Sequence, residues 1–453
     1  MFRIHTVRLM ILLFFVLPLE SVAQSNHVIL ITVDGLAAYH LFDESLEIPN
    51  LRQLIAQGTM AESSETVFPS VTHPSHTTLV TGRLPIEHGV LNNNMRNRAT
   101  GEAYHVTNKK RAESVKVPTL FDIAKKQGLK TAAFFWPETK SDAAIDFNMP
   151  EVLDVKNRPG PQAFDSPFFT ELRQANVPAD LYERYYDDVQ LQGVSDVALA
   201  EAAAYAIQKH QPQFLAIHFL ATDKAQHEYG PAHYLAKAAI THVDRCIGIL
   251  RAAVKSGGLG DRTTFAVAAD HGFASVYQEM NLHPLFKDAG LLDRLTLHPD
   301  KWVLHVELNN TFRPETDAAR LDQLLKTAAS LAGINRVIAS AEYPAYGLPR
   351  YEDDPHMRGQ YMIVANIDQH LILDPASSSM VPRPSKNPYH GHGYLPSHPR
   401  MYPALILSGR GIGKGKQLGH VHNLDVAPTI AHLLGLKVQG MPGRILKEAL
   451  SAP

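Results

Sequence analysis

Val28-Ile29-Leu30-Ile31-Thr32-Val33 runs directly into Asp34-Gly35, and this change from apolar, β-branched residues to a carboxylate and a glycine decides the fold. A short apolar run stopped in this way reads as a strand buried on both faces, with Asp34 delivered at its carboxyl end. Three more runs share the character: Thr131 to Trp136, ended by Pro137; Phe214 to Leu220; and Thr264 to Ala269, ended by Asp270-His271-Gly272. Helical periodicity fills the intervals, over Ile48 to Gln57, Thr119 to Gln127, Val194 to His210 and Tyr234 to Lys255. Strands alternating with helices predict an α/β fold, a mostly parallel sheet flanked by helices. Ligands of such sheets gather at the carboxyl ends of strands, where Asp34 and Asp270-His271 fall.

The pattern changes from Leu282 to Pro388. Trp302 to Leu308, the helical Asp317 to Leu331, Val337 to Ala341 and Met362 to Ile367 read as a small α+β unit, followed by a Pro- and Ser-rich stretch from Asp374 to Pro388. The sheet pattern returns at Ala404 to Leu407, and Leu424 to Leu434 is an amphipathic helix closed by Gly435. The expected organisation is therefore a main α/β domain over 24–281 and 389–453, with 282–388 inserted into it. Arg3, His5 and Arg8, then the apolar Leu9 to Leu17, Pro18 and Ser21-Val22-Ala23 have the order of a secretory signal peptide over 1–23. The apolar run is shorter than the roughly 20 residues a spanning helix needs, so no stable membrane anchor is expected after cleavage. Cys246 is the one cysteine and sits in an apolar helical pattern, which suits a core thiol. A large exported chain without disulfides fits a bacterial periplasmic or secreted location.

With 45% hydrophobic and 19% charged residues, the 453-residue chain has globular composition, and its formal charge of -2 offers no basic field for a nucleic-acid polymer. Its 24 histidines cluster with carboxylates. Asp34 ends one strand, and Asp270-His271 ends another. Asp223 and His227 stand one helical turn apart, and His392 lies in His-Gly-His-Gly-Tyr. Three Asp and three His, with one hydroxyl, suffice for two metal ions with open positions, and zinc favours such donors where no thiolate is available. Each segment alone is commonplace, since strand-end Asp residues often cap helices. Their order on one α/β scaffold is the informative feature.

The segment that joins them reads Thr66-Val-Phe-Pro-Ser-Val-Thr72-His-Pro-Ser-His-Thr-Thr-Leu-Val-Thr-Gly82, continuing through Pro85-Ile-Glu-His-Gly89 to Asn92-Asn93-Asn94. It resembles the nucleotide pyrophosphatase/phosphodiesterase family of the alkaline phosphatase superfamily, whose loop runs Phe-Pro-Thr-Lys-Thr-Phe-Pro-Asn-His, then Thr-Gly, Pro-Glu-x-His-Gly and a later Asn. The resemblance extends from Val28 to about Leu436 and implies an alkaline-phosphatase-like fold. It places Thr72 on the nucleophile and Asn93 on the asparagine that helps hold the phosphoryl group. It puts Asp34, Thr72, Asp270 and His271 around one zinc, and Asp223, His227 and His392 around a second. Phe135-Trp136-Pro137 resembles the family's Trp-Pro-Gly turn. The activity implied is cleavage of phosphodiester or pyrophosphate bonds in small, nucleotide-type substrates, through a covalent phospho-threonine. A hydroxyl needs a lowered pKa to act so, and metal coordination supplies it.

Departures concern substrate recognition. His73 stands where the family has Phe, Ser75 where it has Asn, and His218 where an aromatic is expected to stack on a nucleobase. Alternative functions on the same zinc pair are phosphomonoester or phosphonate hydrolysis, for which Arg83 and Lys224 are candidate extra cations. Sulfatase action is excluded by Thr72, which cannot become formylglycine. A non-catalytic zinc- or ligand-binding protein is the reading from another class. Of the remaining histidines, His40, His105, His210 and His283 are expected at the surface or in structural hydrogen bonds, and His390 beside the metal ligands. Tyr185 to Asp188 is a candidate wall of the substrate cleft.

Overall fold

The computed structural model describes residues 26–151, 166–181 and 192–451. The segment 1–23 and Tyr185 to Asp188 lie outside these residues.

The apolar runs form the middle of an eight-stranded sheet. Its order is Lys416–His422, Gly58–Glu65, Leu405–Gly409, Thr263–Ala268, His27–Val33, Phe214–Phe219, Thr131–Phe134 and Phe147–Met149. Every neighbouring pair is parallel except the two made by Leu405–Gly409. The sheet is thus α/β and mostly parallel.

Strand alternation sorts the core into two layers. Ile29, Ile31 and Val33 pack with the helices Pro49–Gln57, Gln192–Lys209 and Tyr234–Ser256, and Cys246 is buried in this layer. Val28 and Leu30 face the opposite way, against Leu79, Leu120 and Ile430 from the helices Thr72–Thr81, Leu120–Lys126 and Val426–Leu433. Both faces are covered, which is why the central strands read as unbroken apolar runs rather than alternating ones.

The Thr131 strand is shorter than expected. It stops at Phe134 because Phe135 takes a left-handed conformation with φ of 51°, turning the chain before Trp136. The 282–388 region contains a four-stranded sheet built from Leu295–Pro299, Val303–Leu308, Ile334–Ala339 and Tyr361–Ala365, beside the helix Pro314–Ser330. Its core is shared with Phe68, Val71, Leu91 and Met95 from the segments around Thr72. The Pro- and Ser-rich stretch is only partly linker: Arg383–Gly391 is a strand paired antiparallel with Ala274–Asn281. That pairing carries the chain to His392. His40, expected at the surface or in a hydrogen bond, is instead 2% exposed, and burial pushes its pKa down to about 4, so it packs as a neutral ring.

Candidate active site

Three strand ends and one helix bring the expected carboxylates and imidazoles together. Asp34 and Asp270 leave adjacent strands, and the Asp34 N–H donates to the Phe219 carbonyl at 2.9 Å. Gly35 follows at φ +68°, and its N–H donates to Asp270 Oδ1 at 3.1 Å. A side chain on Gly272 would lie 2.0 Å from the Arg400 carbonyl oxygen, so only glycine lets the chain pass after His271. Asp223 and His227 lie on the helix Ala221–Tyr229, as their spacing predicts.

The three histidines share one feature. His271 Nδ1 lies 3.0 Å from the Gly272 carbonyl, His227 Nδ1 2.7 Å from that of His390, and His392 Nδ1 2.9 Å from that of Ser70. A carbonyl only accepts, so each Nδ1 carries the proton and each Nε2 presents a lone pair when the ring is neutral. Those Nε2 atoms face carboxylate oxygens. His271 Nε2 is 3.3 Å from Asp34 Oδ1 and 3.2 Å from Asp270 Oδ2. Asp223 Oδ1 is 3.3 Å from His227 Nε2 and 3.6 Å from His392 Nε2. His271 and His392 stack with centroids 3.5 Å apart, which joins the two groups into one cluster.

Lone pairs facing carboxylates repel unless a cation lies between them. Asp34 Oδ1, Asp223 Oδ1, Asp270 Oδ2 and His271 Nε2 are all buried without a hydrogen-bond partner. Burial, reinforced by the Asp270 and Asp223 charges, holds the Asp34 carboxyl well above the usual range, and burial raises Asp270 too. Asp223 goes the other way: burial opposes its ionisation, but His227 and His392 outweigh it and draw the pKa down. Burial likewise lowers His227, yet the Asp223 charge prevails and raises it, placing a proton where a metal ion would sit. Burial takes His271 down to about 4 and His392 to about 3, so both are neutral, as ligands must be. The donor set fits divalent metal binding, with the Asp34 group inside and the half-exposed His227 at the rim.

Thr72 is the first residue of its helix, and the preceding loop is tied to both groups. Thr66 donates to the Asp270 carbonyl at 2.6 Å, and Ser70 holds His392 through its carbonyl. His76 spans the remaining gap: Nδ1 lies 2.9 Å from the Thr72 carbonyl and 3.7 Å from Asp270 Oδ2. The His73 N–H donates to Asn93 Oδ1 at 3.0 Å, while Asn92 is used in the turn, accepting from the Asn93 N–H. The structure therefore brings Asn93, not Asn92, to the start of the helix Thr72–Thr81.

Three residues take supporting roles that the sequence does not reveal. His218 is fully buried and its Nε2–H donates to Asp34 Oδ2 at 3.1 Å; it braces Asp34 and cannot stack on a nucleobase. Its register opposite Thr32, two residues before Asp34, places it there. Glu138 takes the place of glycine after Trp136-Pro137 and keeps a positive φ of 53°. Its carboxylate accepts from His73 Nδ1 at 2.7 Å and from Thr77 at 3.0 Å. His73, the departure beside Thr72, is thus partnered by Glu138. His390 acts through its backbone carbonyl on His227, and its ring bonds Ser275. Arg83 is turned away to Glu87 at 2.8 Å and supplies no cation here.

Asp196 is the third. It accepts from the N–H groups of Leu220 and Ala221 at 3.1 and 3.0 Å, capping the Asp223 helix from a neighbouring one. Burial raises its pKa from 3.8 to about 7. The folded state therefore holds this proton more tightly than the unfolded chain, and stability falls as pH rises between those values. In chelator-treated protein, Asp196→Asn is expected to flatten that decline by up to about 1.4 kcal/mol per pH unit. Denaturant unfolding at pH 4 to 7 measures it; parallel curves for parent and variant would refute the assignment.

The fold is shared with known proteins. Human ectonucleotide pyrophosphatase/phosphodiesterase 5 superposes with a TM-score of 0.68 over 94% of this chain and 100% of that one, at 17% identity. The murine protein, solved as an inactive variant with AMP, gives 0.67 over the same shares at 17% identity. Both are alkaline-phosphatase-like α/β structures. The family model for type I phosphodiesterase / nucleotide pyrophosphatase matches residues 28–366, and the chain belongs to that family. Bovine ectonucleotide pyrophosphatase/phosphodiesterase family member 3 is 26% identical over 252 residues, covering 55% of this chain and 25% of its own length. The rat family member 7 is 28% identical over 270 residues, 56% of this chain and 51% of that one. The chain thus spans about a quarter to a half of these relatives. Among the described residues, no helix is long and apolar enough to cross a membrane.

Proposed function

We propose that this chain is an exported two-zinc hydrolase that cleaves phosphodiester or pyrophosphate bonds in nucleotide-type substrates, with Thr72 as nucleophile. The observation that carries this reading is the set of three imidazoles, each fixed through Nδ1, whose Nε2 atoms face buried, unpartnered carboxylate oxygens. Asp34, Thr72, Asp270 and His271 would hold one zinc, and Asp223, His227 and His392 the other. When bound, such a pair lowers the pKa of a coordinated hydroxyl or water and offsets phosphoryl charge.

The chain's own residues supply the rest. Thr72 Oγ1 attacks phosphorus as the bond to the leaving group breaks, and water later releases the phosphoryl group from the threonine. Asn93, whose Oδ1 is held by the His73 N–H, offers its amide N–H groups to the non-bridging oxygens, where such donors suit negative charge. His76 holds the first turn, so Thr72 is oriented before substrate arrives. A nucleotide-type substrate is supported by the murine relative's complex with AMP, and export by the signal-like order of 1–23.

Monoester hydrolysis gains from an additional cation, and the pairing of Arg83 with Glu87 removes one candidate. The deciding assay compares a chromogenic nucleoside-phosphate diester with the matching monoester, with chelator and with zinc restored. Faster diester turnover, lost on chelation and recovered with zinc, is expected. Equal or faster monoester turnover would transfer the assignment to a phosphomonoesterase.

A further inference from the structure

Apart from the cluster around Asp34, Asp223 and His392, the edge of the main sheet carries a second kind of ligand set. Lys416–His422 is the outermost strand and runs parallel to Gly58–Glu65. Their register sets His420 opposite Ser63 and His422 opposite Glu65. Strand alternation puts all four side chains on one face of the sheet. We propose that Glu65, His420 and His422 form a third metal site, which takes a divalent transition-metal ion of the zinc class.

One donor atom from each residue lies within 4.8 Å of the others. Ser63 Oγ is 2.8 Å from His420 Nδ1, and His420 Nε2 is 3.2 Å from Glu65 Oε2. The serine thus orients the imidazole and leaves Nε2 for the shared centre, the arrangement that outer hydrogen bonds impose on metal-binding histidines. Two imidazoles and a carboxylate select zinc, nickel or copper over magnesium or calcium. His420 and His422 are exposed, so an ion enters without opening the core. Three protein donors leave a position for water or a small ligand. A cavity of about 300 Å³, which Glu65 and His422 also line together with Arg336 and Tyr346, adjoins that position.

The site has a mechanical consequence. Glu65 is followed by Thr66, the residue bonded to the Asp270 carbonyl, at the start of the loop that leads to Thr72. An ion held by Glu65 and the two histidines fastens the edge strand to the root of that loop. Its effect is on stability and leaves the chemical step alone.

The test uses the full chain equilibrated with Zn²⁺ alone, followed by elemental analysis of bound metal and thermal unfolding. The double variant His420→Gln/His422→Gln is expected to bind one zinc fewer per chain than the parent, with a smaller zinc-induced rise in Tm and unchanged diester turnover. Equal zinc content in parent and double variant overturns the proposal. A His392→Gln companion separates it from the active-site reading. Adding the His420 and His422 changes to that variant must still remove one ion, whether or not the active site holds zinc. No further loss in that background also overturns it.

Discussion

Replacement of Thr72 by alanine is expected to lower kcat by at least ~1000-fold, the scale on which loss of an attacking group acts. Its fold should survive, because Thr72 is half-buried at the first position of its helix and its carbonyl, which alanine retains, is the atom that His76 holds. The six other ligands also remain, each imidazole still fixed by its carbonyl partner. Substrate binding should therefore persist while turnover vanishes. Initial rates together with zinc content and Tm check this. A variant that retained a tenth of parental kcat with full zinc content would move the nucleophile to a metal-activated water. A binding protein without catalysis would show no turnover in the parent either.

Asp34→Asn is expected to act in opposite directions on the metal-free and metal-loaded protein. In the metal-free chain, Asp34 shares a buried space with Asp270 and faces the lone pair of His271 Nε2. An asparagine removes the charge, offers an N–H to His271, and still accepts from His218. Near pH 8, chelator-treated variant should therefore unfold at a higher temperature than chelator-treated parent. Zinc should reverse the order, since ligand bound only by the folded state contributes about 4 kcal/mol at a thousandfold excess over its Kd. The variant forgoes the share of the Asp34 ion and, with it, turnover. Calorimetry with and without zinc measures both differences. A metal-free variant less stable than metal-free parent would show that Asp34 serves as a structural hydrogen-bonding group.

Much of this arrangement was legible in the sequence because burial on both faces writes a strand as an uninterrupted apolar run. Val28 to Val33 and Thr264 to Ala269 are such runs, and each ends where a carboxylate begins. Helix spacing likewise placed Asp223 and His227 on one turn. The region after Leu282 was harder. The strand Arg383–Gly391 contains Pro384 and Pro388 and pairs through a register shift, so neither composition nor alternation marks it. The support around the ligands was hidden for a different reason. His218 and Asp196 act across strands and helices, over sequence separations no local pattern encodes. Glu138 could have been noticed: a bulky acid at a turn position that a glycine fills is strained, and strain of this kind accompanies function. Its partner His73, beside Thr72, makes the pair a natural place to look for what distinguishes this site's substrates.

The account stands or falls on the bond that Thr72 forms. Rapid acid quenching of the zinc-loaded chain during turnover of a diester, followed by proteolysis and mass spectrometry, tests it directly. A substrate-derived phosphoryl adduct is expected on the peptide carrying Thr72, absent from Thr72→Ala and from chelated enzyme. Fast diester turnover with no adduct on that peptide, or an adduct on another residue, would contradict it.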